Sequence, residues 1–261
     1  MARFATLCSS SRGNATYIGT AAYGILVDAG SNTKQLEIAM RDMGLEPSSV
    51  KAIFVTHEHT DHIGALRVFA ARYHTPVYAS EGTYRALERG GYLTGKFEAY
   101  SMDAPVDIGG IGVTMFHTSH DSRESTGYRI ALPDRTVGVC TDTGVITPEI
   151  RQQLNGCDLV LLESNHDRNM LEFGPYPYPL KLRIRADTGH LSNDACAEEA
   201  QALLQSGTRR FVLGHLSLEN NTPERAYACT NAALQKLGAQ ENSDYILQVA
   251  PVCGSAHFLA F

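Results

Sequence analysis

Thr56-His57-Glu58-His59-Thr60-Asp61-His62 packs three imidazoles and two carboxylates into seven positions, directly after the apolar run Ala52-Ile53-Phe54-Val55. That run reads as a buried strand, and the alternating histidines after it lead into a helical pattern from Ile63 to Tyr73. With the backbone extended past the strand, His57 and His59 point the same way and share one cation, while Asp61 and His62 fall to a second. Imidazole with carboxylate suits borderline divalent ions such as Zn, Mn, Fe or Co; an all-oxygen set suits Mg or Ca, and thiolates suit structural zinc. No cysteine is near, so the cluster reads as a catalytic metal site. A polar surface loop would account for one such histidine, not for four donors gathered at a strand end.

Upstream, Phe4–Cys8, Thr16–Ile18 and Gly24–Asp28 read as short strands of a meander, with Ser9-Ser10-Ser11-Arg12-Gly13-Asn14 turning between the first two. Leu36, Ile38, Ala39, Met40 and Met43 recur at helical spacing from Thr33 to Met43, and Gly44 stops that helix. Downstream, a strand at Val77–Ala79 and a helix at Glu81–Arg89 precede strands at Val113–Phe116, Gly127–Leu132, Thr136–Thr141 and Asp158–Glu163. Two strong helical patterns, Asn193–Gln205 and Pro223–Lys236, bracket a strand at Arg210–Leu213. The order is consistent with two sheets packed face to face and covered by helices on both outer sides, although periodicity alone reaches only α/β layers.

The 261 residues, 43% of them apolar, suffice for one packed unit, and no Pro/Gly/Ser-rich or like-charge stretch marks a linker. Residues 1–261 therefore read as one domain. The start Met1-Ala2-Arg3-Phe4-Ala5-Thr6-Leu7-Cys8 lacks the apolar core of a secretory signal, and no apolar stretch approaches membrane-spanning length, which points to a cytoplasmic protein with no membrane partner. Six cysteines, at 8, 140, 157, 196, 229 and 253, form no C-x-x-C pair and read as small buried hydrophobes. A net charge of −6 provides no global basic footprint for nucleic acid, although cations bound at a local site still attract phosphates. Nothing in the chain specifies an oligomeric state.

His57, His59, Asp61 and His62 match the H-x-H-x-D-H motif of the metallo-β-lactamase superfamily, which the chain resembles along almost its whole length. The resemblance implies a four-layered αββα sandwich with a dinuclear site at one edge. It also implies roles for residues elsewhere. Asp28, in Val27-Asp28-Ala29-Gly30, is similar to the early aspartate that hydrogen-bonds behind the metal loop. His120 is similar to the third ligand of the first metal, Asp142 to the bridging carboxylate and His215 to the last ligand of the second metal. His117 competes with His120, and His190 with His215; His120 and His215 are preferred, the latter because it terminates a strand. His74 and His257 have no donor cluster beside them and read as structural or solvated.

Two bridged divalent ions roughly 3.5–4 Å apart lower the pKa of a shared water, so that hydroxide is available at neutral pH, and they neutralise charge on a phosphorane-like transition state. Ester, thioester and lactone hydrolysis need similar machinery. Glu163 and His190 bias the choice, since they resemble the acid–histidine pair of superfamily nucleases, in which a carboxylate favours an imidazolium that protonates a leaving oxygen. Their plainer reading is a strand-end acid and a histidine ahead of the helix cap Ser192.

Taken together, the Ser-rich turn, the histidine cluster, Glu163-Ser164-Asn165-His166-Asp167, Gly189-His190-Leu191-Ser192-Asn193 and Gly214-His215-Leu216-Ser217 resemble the bacterial YycJ/WalJ-like branch. That likeness implies a 5′-to-3′ exonuclease on double-stranded DNA, with Mn, Zn or Fe as cofactor. Ser10, Ser11, Arg12, Asn14, Asn165 and His166 are candidate substrate contacts. Lys181 and Arg183, with Arg185, follow the aromatic segment Phe173-Gly174-Pro175-Tyr176-Pro177-Tyr178-Pro179 and either track a nucleic-acid strand or form the solvent face of an edge strand. Only 47 residues separate Asp142 from His190, too few for the large inserted domain of RNA-cleaving relatives. The alternatives are a small-molecule ester, thioester or lactone hydrolase and a metal-binding regulatory module without turnover.

Overall fold

Ala52, Ile53, Phe54 and Val55 are all buried, yet they feed two different cores: Ile53 and Val55 pack with Leu36, Leu66 and Phe69, while Ala52 and Phe54 pack with Val113, Tyr128 and Ile130. Successive side chains of a strand face opposite sides of a sheet, so an unbroken apolar run requires cover on both faces. The rest of the architecture follows from that requirement.

A computed structural model of the protein describes residues 1–253 and 258–261; His257 lies outside them. The first half runs β1 (Arg3–Ser10), β2 (Gly13–Gly19), β3 (Gly24–Val27), α1 (Thr33–Asp42), β4 (Val50–Val55), α2 (Thr60–Ile63), α3 (Leu66–Tyr73), β5 (Val77–Ala79), α4 (Glu81–Arg89) and β6 (Ala99–Ser101). The second runs β7 (Val106–Asp107), β8 (Gly112–His117), β9 (Thr126–Ala131), β10 (Thr136–Cys140), α5 (Pro148–Leu154), β11 (Leu159–Glu163), α6 (Arg168–Phe173), α7 (Tyr178–Arg185), α8 (Asn193–Gln205), β12 (Arg210–Gly214), α9 (Pro223–Lys236), β13 (Ile246–Val249) and β14 (Phe258–Ala260).

Among the described residues, one sheet has the order β14-β1-β2-β3-β4-β5-β6 and the other β13-β12-β11-β10-β9-β8-β7. Each is antiparallel on one side and parallel on the other: β3 to β6 run parallel in the first, β10 to β13 in the second. Phe4, Ile25, Phe54, Tyr128, Val139 and Leu161 lie in the core between the sheets. Helices α1 and α3 cover the outer face of the first sheet through Leu36, Met40 and Phe69; α5, α8 and α9 cover the second through Ile150, Leu203 and Leu234. This is the expected αββα sandwich, two mixed sheets flanked by helices.

Several elements differ from expectation. The Ser-rich turn is shorter, because pairing continues to Ser10↔Gly13 and leaves Ser11-Arg12 as the connection. The helical pattern from Ile63 splits at Gly64 into α2 and α3. Lys181, Arg183 and Arg185 are not on an edge strand. They lie on helix α7, whose first turn tolerates Pro179 because a missing N–H costs nothing there, and whose Ile184 is buried. Cys8, Cys140, Cys157 and Cys196 are buried as read, whereas Cys229 is half-buried and Cys253 exposed, with its Sγ 2.7 Å from Cys8 Sγ. No helix among the described residues is long and apolar enough to cross a membrane.

Candidate metal centre

Parallel strands all present their C-terminal ends along one edge, where open α/β sheets bind ligands. Asp28 follows β3, His57 follows β4 by two positions, Asp142 follows β10 by two, Glu163 ends β11 and His215 follows β12 directly. Three of these, Asp28, Asp142 and His215, hold left-handed backbone at φ 62°, 57° and 54°, which costs an ordinary residue energy and marks positions fixed by their surroundings. Gly30 packs against the metal loop so closely that a Cβ on it would stand 1.8 Å from the Asp61 carbonyl oxygen. No other residue fits there.

Donors from four stretches converge. One atom each from His57, His59 and His120 lie within 4.8 Å of one another, and the same holds for Asp61, His62 and His215. Asp142 stands between the two groups, with Oδ2 3.3 Å from His62 Nε2, Oδ1 3.4 Å from His215 Nδ1 and Oδ1 3.7 Å from His120 Nε2. His57 Nε2 and His59 Nδ1 approach to 3.0 Å. His57 and His59 thus fall in one group and Asp61 and His62 in another, while His57, His62 and Asp142 form a further set within the same distance.

Backbone and carboxylate groups set which ring nitrogen faces the centre. Asp28 Oδ2 takes His62 Nδ1 at 2.8 Å and the Thr56 hydroxyl at 2.9 Å, while Oδ1 takes the Thr56 N–H at 2.8 Å. His120 Nδ1 donates to the Gly189 carbonyl at 3.1 Å. Glu163 Oε1 takes both His190 Nδ1 and His215 Nδ1 at 2.8 Å, and its Oε2 takes the backbone N–H groups of Thr143 at 2.9 Å and Leu191 at 3.2 Å. An Nδ1–H engaged in this way leaves Nε2 with its lone pair free for a cation.

The electrostatics fit a cation as well. Burial raises the cost of charging His62 and His215, yet Asp28 and Asp142 drive His62 well above its ordinary value, and Asp142, Asp61 and Glu163 push His215 up to about 10. Burial likewise opposes ionisation of Asp142, but His215 and His62 hold it well below the usual carboxylate range. His57 and His59 go the other way, lowered by burial and by neighbouring imidazoles. Asp142 Oδ2 and His215 Nε2 are buried with no hydrogen-bond partner among the described residues. Such orphaned atoms are costly unless something binds them; the carboxylates draw positive charge onto His62 and His215, and a borderline divalent ion, taken by carboxylates and by imidazoles that give up that proton on binding, would replace it.

Not every proposed substrate contact faces outward. Ser10 is fully buried, and Asn14, 6% exposed, spends its Nδ2 on the Ser10 carbonyl, Asp61 Oδ2 and His62 Nε2, so both brace the loop. Ser11, Asn165 and Arg183 line the pocket over the metal ligands, and Ser11 and Arg12 are exposed. Asn165 also donates to the His215 carbonyl at 2.9 Å. The α7 cations are engaged: Lys181 Nζ with the Glu172 carbonyl, Arg183 with Asp121, Arg185 with Glu172. His117 is half exposed beside Glu124 and Glu149, away from the cluster, and His74 caps α3.

One feature escaped the sequence reading, and the aromatic segment singled out there lies at the metal pocket. Ser9 Oγ accepts the His215 N–H at 2.8 Å, a contact across 206 positions that the Ser-rich composition alone did not single out. Tyr176, Leu180 and Ile184 wall the metal pocket, and Phe173 and Tyr178 stand outside it, 85% and 66% exposed.

Residues 23–216 match the β-lactamase superfamily domain. The chain belongs to the metallo-β-lactamase superfamily. Over 237 residues, 90% of each chain, it is 37% identical to a Bacillus anthracis protein named exodeoxyribonuclease YycJ. It is 36% identical to the exodeoxyribonuclease WalJ of Streptococcus pneumoniae over 86% of this chain and 85% of that one. Among solved structures it superposes on the metallo-β-lactamase fold protein YhfI of Bacillus subtilis with a TM-score of 0.73 at 16% identity, covering both chains fully. Human tRNase Z, short form, follows at 0.61 and 16% identity over 82% of this chain and 92% of that one. These two superfamily structures share the fold.

Proposed function

We propose that the protein is a metal-dependent phosphodiesterase, a DNA exonuclease that removes nucleotides 5′ to 3′ from double-stranded DNA using two divalent cations, Mn, Zn or Fe. The observation that carries this reading is the 37% identity, over 90% of each chain, to a protein named as an exodeoxyribonuclease. The complete donor set and the Glu163–His190 pair support it.

His57, His59 and His120 would hold one ion and Asp61, His62 and His215 the other, with Asp142 placed beside both groups. Cations so held supply, when bound, acidified water and positive charge over the phosphoryl oxygens. The protein's own groups do the rest. Asp61, which burial would neutralise, is kept ionised by His215 and His62 and accepts a hydrogen bond from the attacking water. As the water oxygen bonds to phosphorus, the phosphorus–oxygen bond to the leaving group breaks, its electron pair goes to that oxygen, and His190 Nε2 hands it a proton. Burial disfavours a charged His190, but Glu163 beside it raises its pKa and so favours the protonated form that can donate. The exposed Phe173 and Tyr178 beside the pocket offer aromatic faces on which bases of a strand stack.

The test is end-labelled single- and double-stranded DNA and RNA incubated with Mn, Zn, Mg or a chelator. Release of 5′-labelled mononucleotide from duplex DNA, absent with chelator, is expected. Ester or lactone hydrolysis with no cleavage of any nucleic acid under every metal would overturn the proposal in favour of a small-molecule hydrolase.

A further inference from the structure

A second cavity, of about 690 Å³, adjoins the metal pocket of about 240 Å³, and His190 lines both. The larger one falls within the ~300–1,000 Å³ range of pockets that enclose a small molecule. Its apolar wall includes Ile146, Leu191 and Ala195. Its charges cancel, since Arg151, Arg168 and Arg185 face Glu172, Glu198 and Glu199. The arginines are also spoken for: Arg151 Nη2 lies 2.6 Å from Glu199, Arg168 Nε 3.3 Å from Asp194, and Arg185 is paired with Glu172. A run of phosphates gains little in such a site, whereas a neutral ring with polar edges suits it.

His166, on the same wall, is 3% exposed, and its Nδ1 has no hydrogen-bond partner among the described residues. A buried polar atom left without a partner carries a desolvation cost that a ligand's polar edge relieves. Burial holds this imidazole down at about 4, so it offers one donor and one acceptor without charge.

Resting on the phosphodiesterase reading, we propose that this cavity is the subsite for the nucleoside that carries the leaving oxygen, with His166 hydrogen-bonding to its base or sugar. Nδ1 of His190 is committed to Glu163, so Nε2 must meet the leaving oxygen, and what is bonded to that oxygen must lie beside His190. The phosphate takes the small metal pocket; the neighbouring cavity takes the neutral remainder. For 5′-to-3′ removal the leaving oxygen is O3′ of the terminal nucleotide, so the cavity receives the unit being released.

Two measurements test this. Calorimetry of metal-free protein with thymidine 3′-monophosphate is expected to show binding that weakens at least tenfold in Ala195→Trp, which fills the cavity, and severalfold in His166→Ala, with melting temperature recorded for both. In parallel, duplexes bearing a 5′-terminal thymidine or a 5′-terminal abasic site are compared. The wild type should cut the abasic end at least tenfold more slowly, and Ala195→Trp should narrow that ratio. Equal cutting of both ends by the wild type, or nucleotide binding untouched by both substitutions, overturns the subsite. Absence of cleavage of any phosphodiester, bis(p-nitrophenyl) phosphate included, with nucleotide binding intact and cavity-dependent, overturns the phosphodiesterase reading instead and retains the nucleoside site.

Discussion

Asp28 and Glu163 do related work on opposite sheets with different reach. Asp28, after β3, orients one imidazole, His62, within a loop that already carries four donors in six positions. Glu163, at the end of β11, orients two, His190 and His215, that arrive on separate loops 25 positions apart. Burial raises the Asp28 carboxyl, with His62 pulling against it; in Glu163 burial is outweighed by His190 and His215, and its pKa falls to about 2. Where the chain itself brings donors together, the carboxylate only tunes a ring. Where donors come from distant strands, the carboxylate is the joint.

Asp142 belongs to neither side, and its loss should break the centre whichever side dominates. Asp142→Ala is expected to lower kcat/KM on duplex DNA at least about a thousandfold, on the order of 4 kcal/mol, with the circular dichroism spectrum retained. Turnover left unchanged would remove Asp142 from the chemistry. Glu163→Gln comes next. Losing the acceptor of two imidazoles should reduce kcat about 10²–10³-fold and move the alkaline limb of the pH–rate profile to lower pH, and added metal should not restore it. Full recovery in excess metal would show that Glu163 is no joint but a ligand-tuning group like Asp28.

The same contrast explains what was legible. The histidine cluster could be read because its donors are contiguous, whereas the order of elements reached only α/β layers; the four-layer sandwich came from the family resemblance, and the run Ala52 to Val55, buried on both faces, fits it. Asp142 was named through the family resemblance alone, and His215 through that resemblance together with its place just past an apolar strand. The second hold of Glu163 on His215 was not legible, since it spans 52 positions and no spacing encodes it. Helix α7 was misread because Lys181, Arg183 and Arg185 alternate with period two, while Leu180 and Ile184, at the i,i+4 spacing that lines the metal pocket, are only two residues. Ser10 and Asn14 were read as reaching outward because polar turn residues usually do; here two extra strand pairs draw them in.

His166, three positions beyond Glu163, sharpens the comparison because its Nδ1, unlike that of His190, has no hydrogen-bond partner among the described residues. Burial lowers its pKa from 6.5 to about 4. Between those values the unfolded chain binds a proton that the folded one refuses, so stability falls as pH drops through that window and is recovered above it. The loss approaches about 3 kcal/mol across it. Denaturant melts of metal-free wild type and His166→Gln should therefore show a shallower acid loss in the variant, by up to that amount between pH 6.5 and 4. Parallel curves would mean that His166 is solvated and that its orphaned Nδ1 has no energetic consequence.

Asp28→Asn should have the smallest effect and the most discriminating one. The amide keeps the volume and one acceptor for the Thr56 N–H, but its NH₂ turns His62 Nδ1 from donor into acceptor and moves the ring proton to Nε2, the atom that faces Asp61 and Asp142. A protonated Nε2 offers no lone pair, so metal affinity should fall about 10–100-fold, read by competition with a chelator, while kcat at saturating metal stays within a few-fold of wild type. Chain continuity still delivers His57, His59 and Asp61 to their places, which is why metal should rescue this variant and not Glu163→Gln. A deficit that persists at saturating metal would put Asp28 in the chemistry, and the two carboxylates would then differ in position but not in kind.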